Sequence, residues 1–212
     1  MNVKTRTVIS LVCNAVIVLV TTGIVISYFF VESKILKNGY ESFMFFTTDS
    51  NILAAIGAAL VMICDVKILQ GKRETVARAF TLVKYAGVVS LMLTFFTVLV
   101  LLIPAYGIGM QWGGTGFHMH LSAPILSFVS FVFLEEHTRI KMSDTIIGLL
   151  PTVIYGAVYF TEVIIVKGWM DFYLFNIGVM WFVTMPVIIG ISFLFCLIVR
   201  ALRNKVLQRR SK

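Results

Sequence analysis

Charge is what this 212-residue chain has least of. Asp, Glu, Lys and Arg together make 13% of it, while hydrophobic residues make 59% and mean hydropathy is +0.96. Soluble domains carry about 25% charged residues, so too little polar surface remains to clothe a water-soluble fold. Acidic residues are the rarer sign, 10 against 18 basic ones, for a net charge of +8. Cysteine numbers three (Cys13, Cys64, Cys196). Each lies in or at the end of an apolar run, at a spacing that suits neither a zinc site nor a disulfide framework, and reads as a small core hydrophobe. Long linkers and low-complexity stretches are missing, which implies one transmembrane domain over residues 1–212. Also missing are a P-loop, a dinucleotide fingerprint and a haem-ligand arrangement, so no cofactor and no metal are expected.

What the chain has is apolar length. Six runs reach the roughly 18–20 residues needed to cross a bilayer, at about 7–30, 43–64, 81–106, 117–134, 145–166 and 174–199. The fold class is therefore all-α, a polytopic six-helix transmembrane bundle. The first run follows Lys4 and Arg6 but is too long for a signal-peptide core, and it reads as a retained helix. Basic residues cluster between the spans, the pattern of a bilayer partner and of no nucleic acid. With the N-terminus inside, Lys4, Arg6, Lys67, Lys72, Arg73, Arg78, Lys84, Arg139, Lys141, Arg200, Arg203, Lys205, Arg209, Arg210 and Lys212 fall on the cytoplasmic side. Only Lys34, Lys37 and Lys167 fall outside, so both termini are expected in the cytoplasm. Tyr28, Tyr40, Tyr106, Trp112, Trp169 and Tyr173 form the expected outer aromatic belt. Lys84 is expected to snorkel, and the basic tail from Arg200 to anchor on anionic headgroups.

Polar residues inside the spans gather at the outer third. Thr47, Thr48, Asp49, Ser50 and Asn51 follow the apolar Phe43–Phe46, which places Thr47 roughly 6 Å below the mouth of helix two at 1.5 Å per residue. His118 and His120 enter helix four at a similar depth. Tyr155, Tyr159 and Glu162 share a face of helix five, and Asp171 and Asn176 lie near the start of helix six. The inner halves of the spans offer nothing comparable. Small-residue stripes on helix two (Thr47, Asn51, Ala54, Ala58) and helix four (His120, Ala123, Ser127, Ser130) allow close approach. A threonine hydroxyl needs a base to become a nucleophile, and histidine is the usual one. A Thr47–His120 pair is thus a minimal ester-hydrolysis centre, with Asn51 as a candidate oxyanion donor. Glu162, Asp49 or Asp171 would orient the ring, although Asp49 lies about 200° around the helix from Thr47.

The run Phe46-Thr47-Thr48-Asp49-Ser50-Asn51 and the later His120-Leu121-Ser122-Ala123-Pro124 resemble motifs of the androgen-induced-gene family of multi-spanning membrane hydrolases. Pro151 with Tyr155, and the segment Gly168–Tyr173, are similar to that family's fifth-helix region. The likeness is closest to the bacterial six-helix members, which implies a bacterial cell membrane. It also implies hydrolysis of fatty acid esters of hydroxy fatty acids, a lipid-like substrate, with Thr47 as nucleophile and His120 as base. Thr48 and His118 stand beside them as alternates. Each feature also has a plain reading: membrane threonines commonly bond the carbonyl one turn back, and the glycine-rich stretch 107–116 reads more readily as a flexible connector than as a lid across the pocket. A second function class is a carrier for a small or lipidic solute that uses the same outer pocket.

Overall fold

A computed structural model describes residues 1–30, 38–176 and 180–210. Lys34, Lys37 and Lys212 of the charge pattern lie outside them. All the described regular structure is helical. Six helices are long and apolar enough to cross a membrane: α1 (Val3–Ser27), α2 (Phe46–Leu69), α3 (Arg78–Tyr106), α4 (Thr115–Leu134), α5 (Met142–Val166) and α6 (Trp181–Arg210). Five match the expected spans closely. The sixth begins at Trp181 rather than 174 and continues to Arg210 rather than 199, because the basic tail prolongs the helix.

Short connections make successive helices antiparallel, so both described chain ends lie at one end of the bundle. There Arg6 of α1 and Arg210 of α6 both reach Glu136 in the α4–α5 connection, at 2.6 and 3.4 Å. Arg78 at the start of α3 pairs with Asp144 at the start of α5. The tail therefore contributes internal contacts: Arg203 is fully buried and donates to the carbonyls of Val132, Glu135 and His137.

Helix α2 packs between α1 and α3, and small residues set how closely. A Cβ at Gly57 would lie 2.8 Å from the Lys84 Cα, and one at Gly87 2.8 Å from the Ala54 Cα. Ala54 also meets Ala123 of α4, so the small stripes of α2 and α4 do face a common interior. Pro104 and Pro124 withhold an amide from their helices, and widened π-helical turns at Val98–Leu102 and His118–Ser122 lead into them. The second of these turns carries His118 and His120.

Candidate functional site

The site lies at the end of the bundle opposite the chain termini, where α2 begins. A 3-10 turn at Gly39–Met44 leads into it, and Phe45 takes up the cap position in an extended conformation without a side-chain cap bond. Thr47 is therefore in the first turn, at the mouth of the helix rather than a turn inside. Amides of a first turn have no carbonyl partner within the helix. The Thr47 hydroxyl equally lacks a helical carbonyl one turn back. Thr7, Thr81, Thr161 and Thr184 all bond to such a carbonyl; Thr47 has none to use. Its own carbonyl accepts from Ser50 Oγ at 3.1 Å and Asn51 Nδ2 at 2.8 Å.

Asn51 differs from expectation. It is fully buried, and its Nδ2 also donates to the Met119 carbonyl at 2.9 Å. Instead of serving an oxyanion, this amide ties α2 to α4. Ser50 is likewise occupied, 2.9 Å from Thr94 Oγ1 on α3.

The two histidines of α4 separate by their partners. His118 has both ring nitrogens engaged, Nε2 with Thr21 at 3.0 Å and Nδ1 with Ser122 at 2.9 Å. His120 Nδ1 lies 2.6 Å from the Gln111 carbonyl. A carbonyl only accepts, so Nδ1 carries the proton and Nε2 keeps its lone pair. Gln111 belongs to a helical turn at Ile108–Trp112 within the glycine-rich stretch. Gly116 closes against it: a Cβ there would come within 2.4 Å of the Gln111 oxygen. The expected connector is thus a wall of the site that fixes the ring.

Thr47, Thr48, Gln111 and His120 line one pocket of about 270 Å³, together with Tyr28 and Phe172. On its other side Thr47 borders a narrow apolar cavity of about 30 Å³ between α2, α3, α5 and α6, with Leu93, Tyr155 and Tyr173 among its walls. Tyr173, expected in the aromatic belt, is only 4% exposed and points into the bundle. Its hydroxyl faces the Thr47 side chain and the Phe46 and Thr47 amides, yet closes no hydrogen bond of regular geometry among the described residues. Burial pushes this phenol up to about 12.

The carboxylates expected to orient a histidine lie elsewhere. Asp49 opens on a separate groove of about 420 Å³ between α2, α3 and α5, on the far face of α2 as its helical angle requires. Asp171 accepts from the Tyr159 hydroxyl at 2.7 Å and from the Phe175 and Asn176 amides. Glu162 sits under Gly168, where a Cβ would meet its Oε2 at 2.9 Å. The Asn176 side chain borders a small cavity beside Tyr159 and Trp181. The group that orients His120 is a main-chain carbonyl, which sequence spacing does not reveal.

A second polar cluster, at the end near the termini, overturns the expectation of an empty inner half. Lys84 does not snorkel: it is fully buried, donates to Asn14 Oδ1 at 2.6 Å and lies 3.7 Å from Glu135 Oε1. Glu135 also accepts from Asn14 at 3.1 Å and Ser130 at 2.5 Å, and pairs with His137 Nε2. His137 Nδ1 in turn lies 3.0 Å from Thr81 Oγ1, and Ser10 donates to Asp65 at 2.7 Å. Burial alone would raise the Glu135 carboxyl, but Lys84 and His137 hold it down at about 2. Burial lowers His137. The pair is thus a carboxylate accepting from a neutral imidazole. Lys84, Asp65 and Glu135 belong to three different stretches of the chain, so only their convergence gives them away.

No family model, no curated protein and no solved structure matches this chain.

Proposed function

We propose that the chain is an integral membrane hydrolase that cleaves an ester in a lipid-like, fatty-acid-ester substrate, with Thr47 as nucleophile and His120 as general base. One observation carries the reading. The Gln111 carbonyl leaves His120 with a basic Nε2, and that ring shares a pocket with a threonine whose hydroxyl is not spent on its own helix. Lipidic esters suit the surroundings, because the pocket walls are largely apolar and a separate apolar cavity borders Thr47 on its other side.

In the proposed reaction the Thr47 Oγ attacks the ester carbonyl carbon while His120 Nε2 takes its proton. Collapse of the tetrahedral adduct releases the alcohol, which regains that proton, and leaves an acyl-threonine. Water, activated by the same nitrogen, then frees the fatty acid and restores the hydroxyl. The positive end of the bundle, where the termini lie, is assigned to the cytoplasm of a bacterial cell. The pocket then opens toward the outer leaflet.

Labelling of the purified protein by a fluorophosphonate probe tests the assignment. Thr47→Ala and His120→Ala are expected to abolish labelling, while Thr48→Ala and His118→Ala retain it. Full labelling of Thr47→Ala contradicts the proposal.

The buried ionic cluster of Lys84, Glu135, His137 and Asp65 favours a second reading, a carrier, since ionisable groups inside membrane proteins commonly serve ion or proton coupling. Proton-driven solute uptake by reconstituted vesicles, lost in Glu135→Gln and unaffected by Thr47→Ala, would decide for it.

A further inference from the structure

We infer that the Tyr173 hydroxyl is the oxyanion donor of this site, acting with the first-turn amides of α2; the inference rests on the reading of Thr47 as nucleophile. Buried hydroxyls in folded proteins are nearly always hydrogen-bonded. The one on Tyr173 is buried, closes no hydrogen bond of regular geometry among the described residues, and borders the same cavity as Thr47. It is turned toward the Thr47 side chain, the Phe46 and Thr47 amides and the Tyr155 hydroxyl, whose own proton goes to the Met44 carbonyl. Those amides belong to the uncapped N-terminus of a 24-residue helix, where the macrodipole favours negative charge.

The loop before α6 is built to hold the phenol there. Asp171 gathers the Tyr159 hydroxyl and two loop amides, and the Tyr173 amide donates back to the Tyr159 oxygen at 3.3 Å. Leu174 turns the chain with a φ of 58°, a conformation that a leucine adopts only under constraint from its surroundings. The rings of Tyr159 and Phe175 flank the Tyr173 ring at 5.7 and 5.1 Å. A phenol held up at about 12 stays protonated at neutral pH and donates.

When Thr47 Oγ adds to the ester carbonyl, the π pair of the C=O bond moves onto oxygen. In this reading that oxygen sits between the Tyr173 hydroxyl and the Phe46 and Thr47 amides. Tyr173 gives a hydrogen bond there and keeps its proton, and the bond relaxes when the C=O re-forms as the alkoxide leaves. Donors placed for the adduct rather than for the ground-state ester lower the barrier without tightening substrate binding.

The test compares wild type, Thr47→Ala and Tyr173→Phe in nanodiscs with the p-nitrophenyl ester of a medium-chain fatty acid. Tyr173→Phe is expected to lower kcat by about 10²–10³-fold, the usual loss for one oxyanion donor, with KM little changed and Tm no lower than wild type. A residue that only shapes the fold would lower Tm and leave kcat. Tyr173→Phe turning over at the wild-type rate, with Thr47→Ala inactive, overturns the inference and leaves the nucleophile in place. Equal turnover by Thr47→Ala, or none by wild type, overturns the parent reading and the inference with it. Should Tyr173→Phe fail to fold, trifluorotyrosine at this position keeps the shape and acidifies the phenol. The alkaline limb of kcat is then expected to move to lower pH, and an unmoved limb overturns the inference.

Discussion

His120 owes its chemistry to its neighbours. The Gln111 carbonyl selects its tautomer, and Gly116 allows that carbonyl to come close. Gly116→Ala forces a Cβ to 2.4 Å from the Gln111 oxygen, so the carbonyl or the helix must shift. Misplacement of a catalytic group by an ångström costs about 10²-fold. Under the proposed role of His120 as base, ester turnover by Gly116→Ala is expected to fall by about that factor while the protein still folds, as read by kcat against Tm. The individual residues are partly legible in sequence: Thr47 and His120 stand out there, and they do line one pocket. The role of Gln111 is not legible, since any residue supplies a carbonyl. Sequence alone puts Tyr173 in the belt because a tyrosine at a membrane boundary usually sits in the interface, and its inward turn depends on the fold of the loop around Asp171.

At the scale of the helices, close packing of α2 on α3 sets the height at which Thr47 meets the pocket. Gly87 lies against the Ala54 backbone, and a Cβ would stand 2.8 Å from the Ala54 Cα. Gly87→Ala is expected to destabilise the bundle by about 1–3 kcal/mol through overpacking, measured as a lower Tm in detergent, whereas Gly23→Ala, which meets nothing within 4 Å, leaves it unchanged. The six spans are legible because hydrophobic length is a one-dimensional signal. The start of α6 is not: Trp169–Asn176 is apolar enough to extend a helix, yet it folds back to place Asp171 and Tyr173. The far end escapes sequence reasoning because basic residues mark a tail, whereas Arg203 is buried against the α4–α5 connection.

For the whole molecule, the ionic cluster near the termini fastens α1, α2, α3 and the end of α4 together. Lys84→Met leaves the Glu135 carboxylate buried without its ammonium partner, and breaking a buried pair in this way costs about 3–5 kcal/mol. Lys84→Met is expected to lower Tm strongly, with the double change Lys84→Met/Glu135→Leu recovering much of the loss. Acid has the same direction of effect. Folded His137 protonates below its ordinary value of 6.5, so the unfolded chain binds the extra proton first and stability declines as pH falls through that value. Glu135 adds to this: its contribution is complete above 4.5 and is lost as pH approaches about 2. The change in Tm from pH 7 to pH 5 is expected to be more negative in wild type than in His137→Gln, and an equal change in both would contradict a neutral His137 beside an ionised Glu135. None of this cluster is legible in the sequence, because a charge inside a span announces its partner only when the helices have been assembled.

The central claim is that Thr47 is the residue that takes up the acyl group, and the most direct measurement is the position of the covalent adduct. Wild-type protein treated with a fluorophosphonate and digested is expected to carry the phosphonyl group on Thr47, read by tandem mass spectrometry, with the modification absent after His120→Ala. An adduct on Thr48 or on a residue outside the pocket, or an unmodified Thr47 in protein that still cleaves esters, would contradict it.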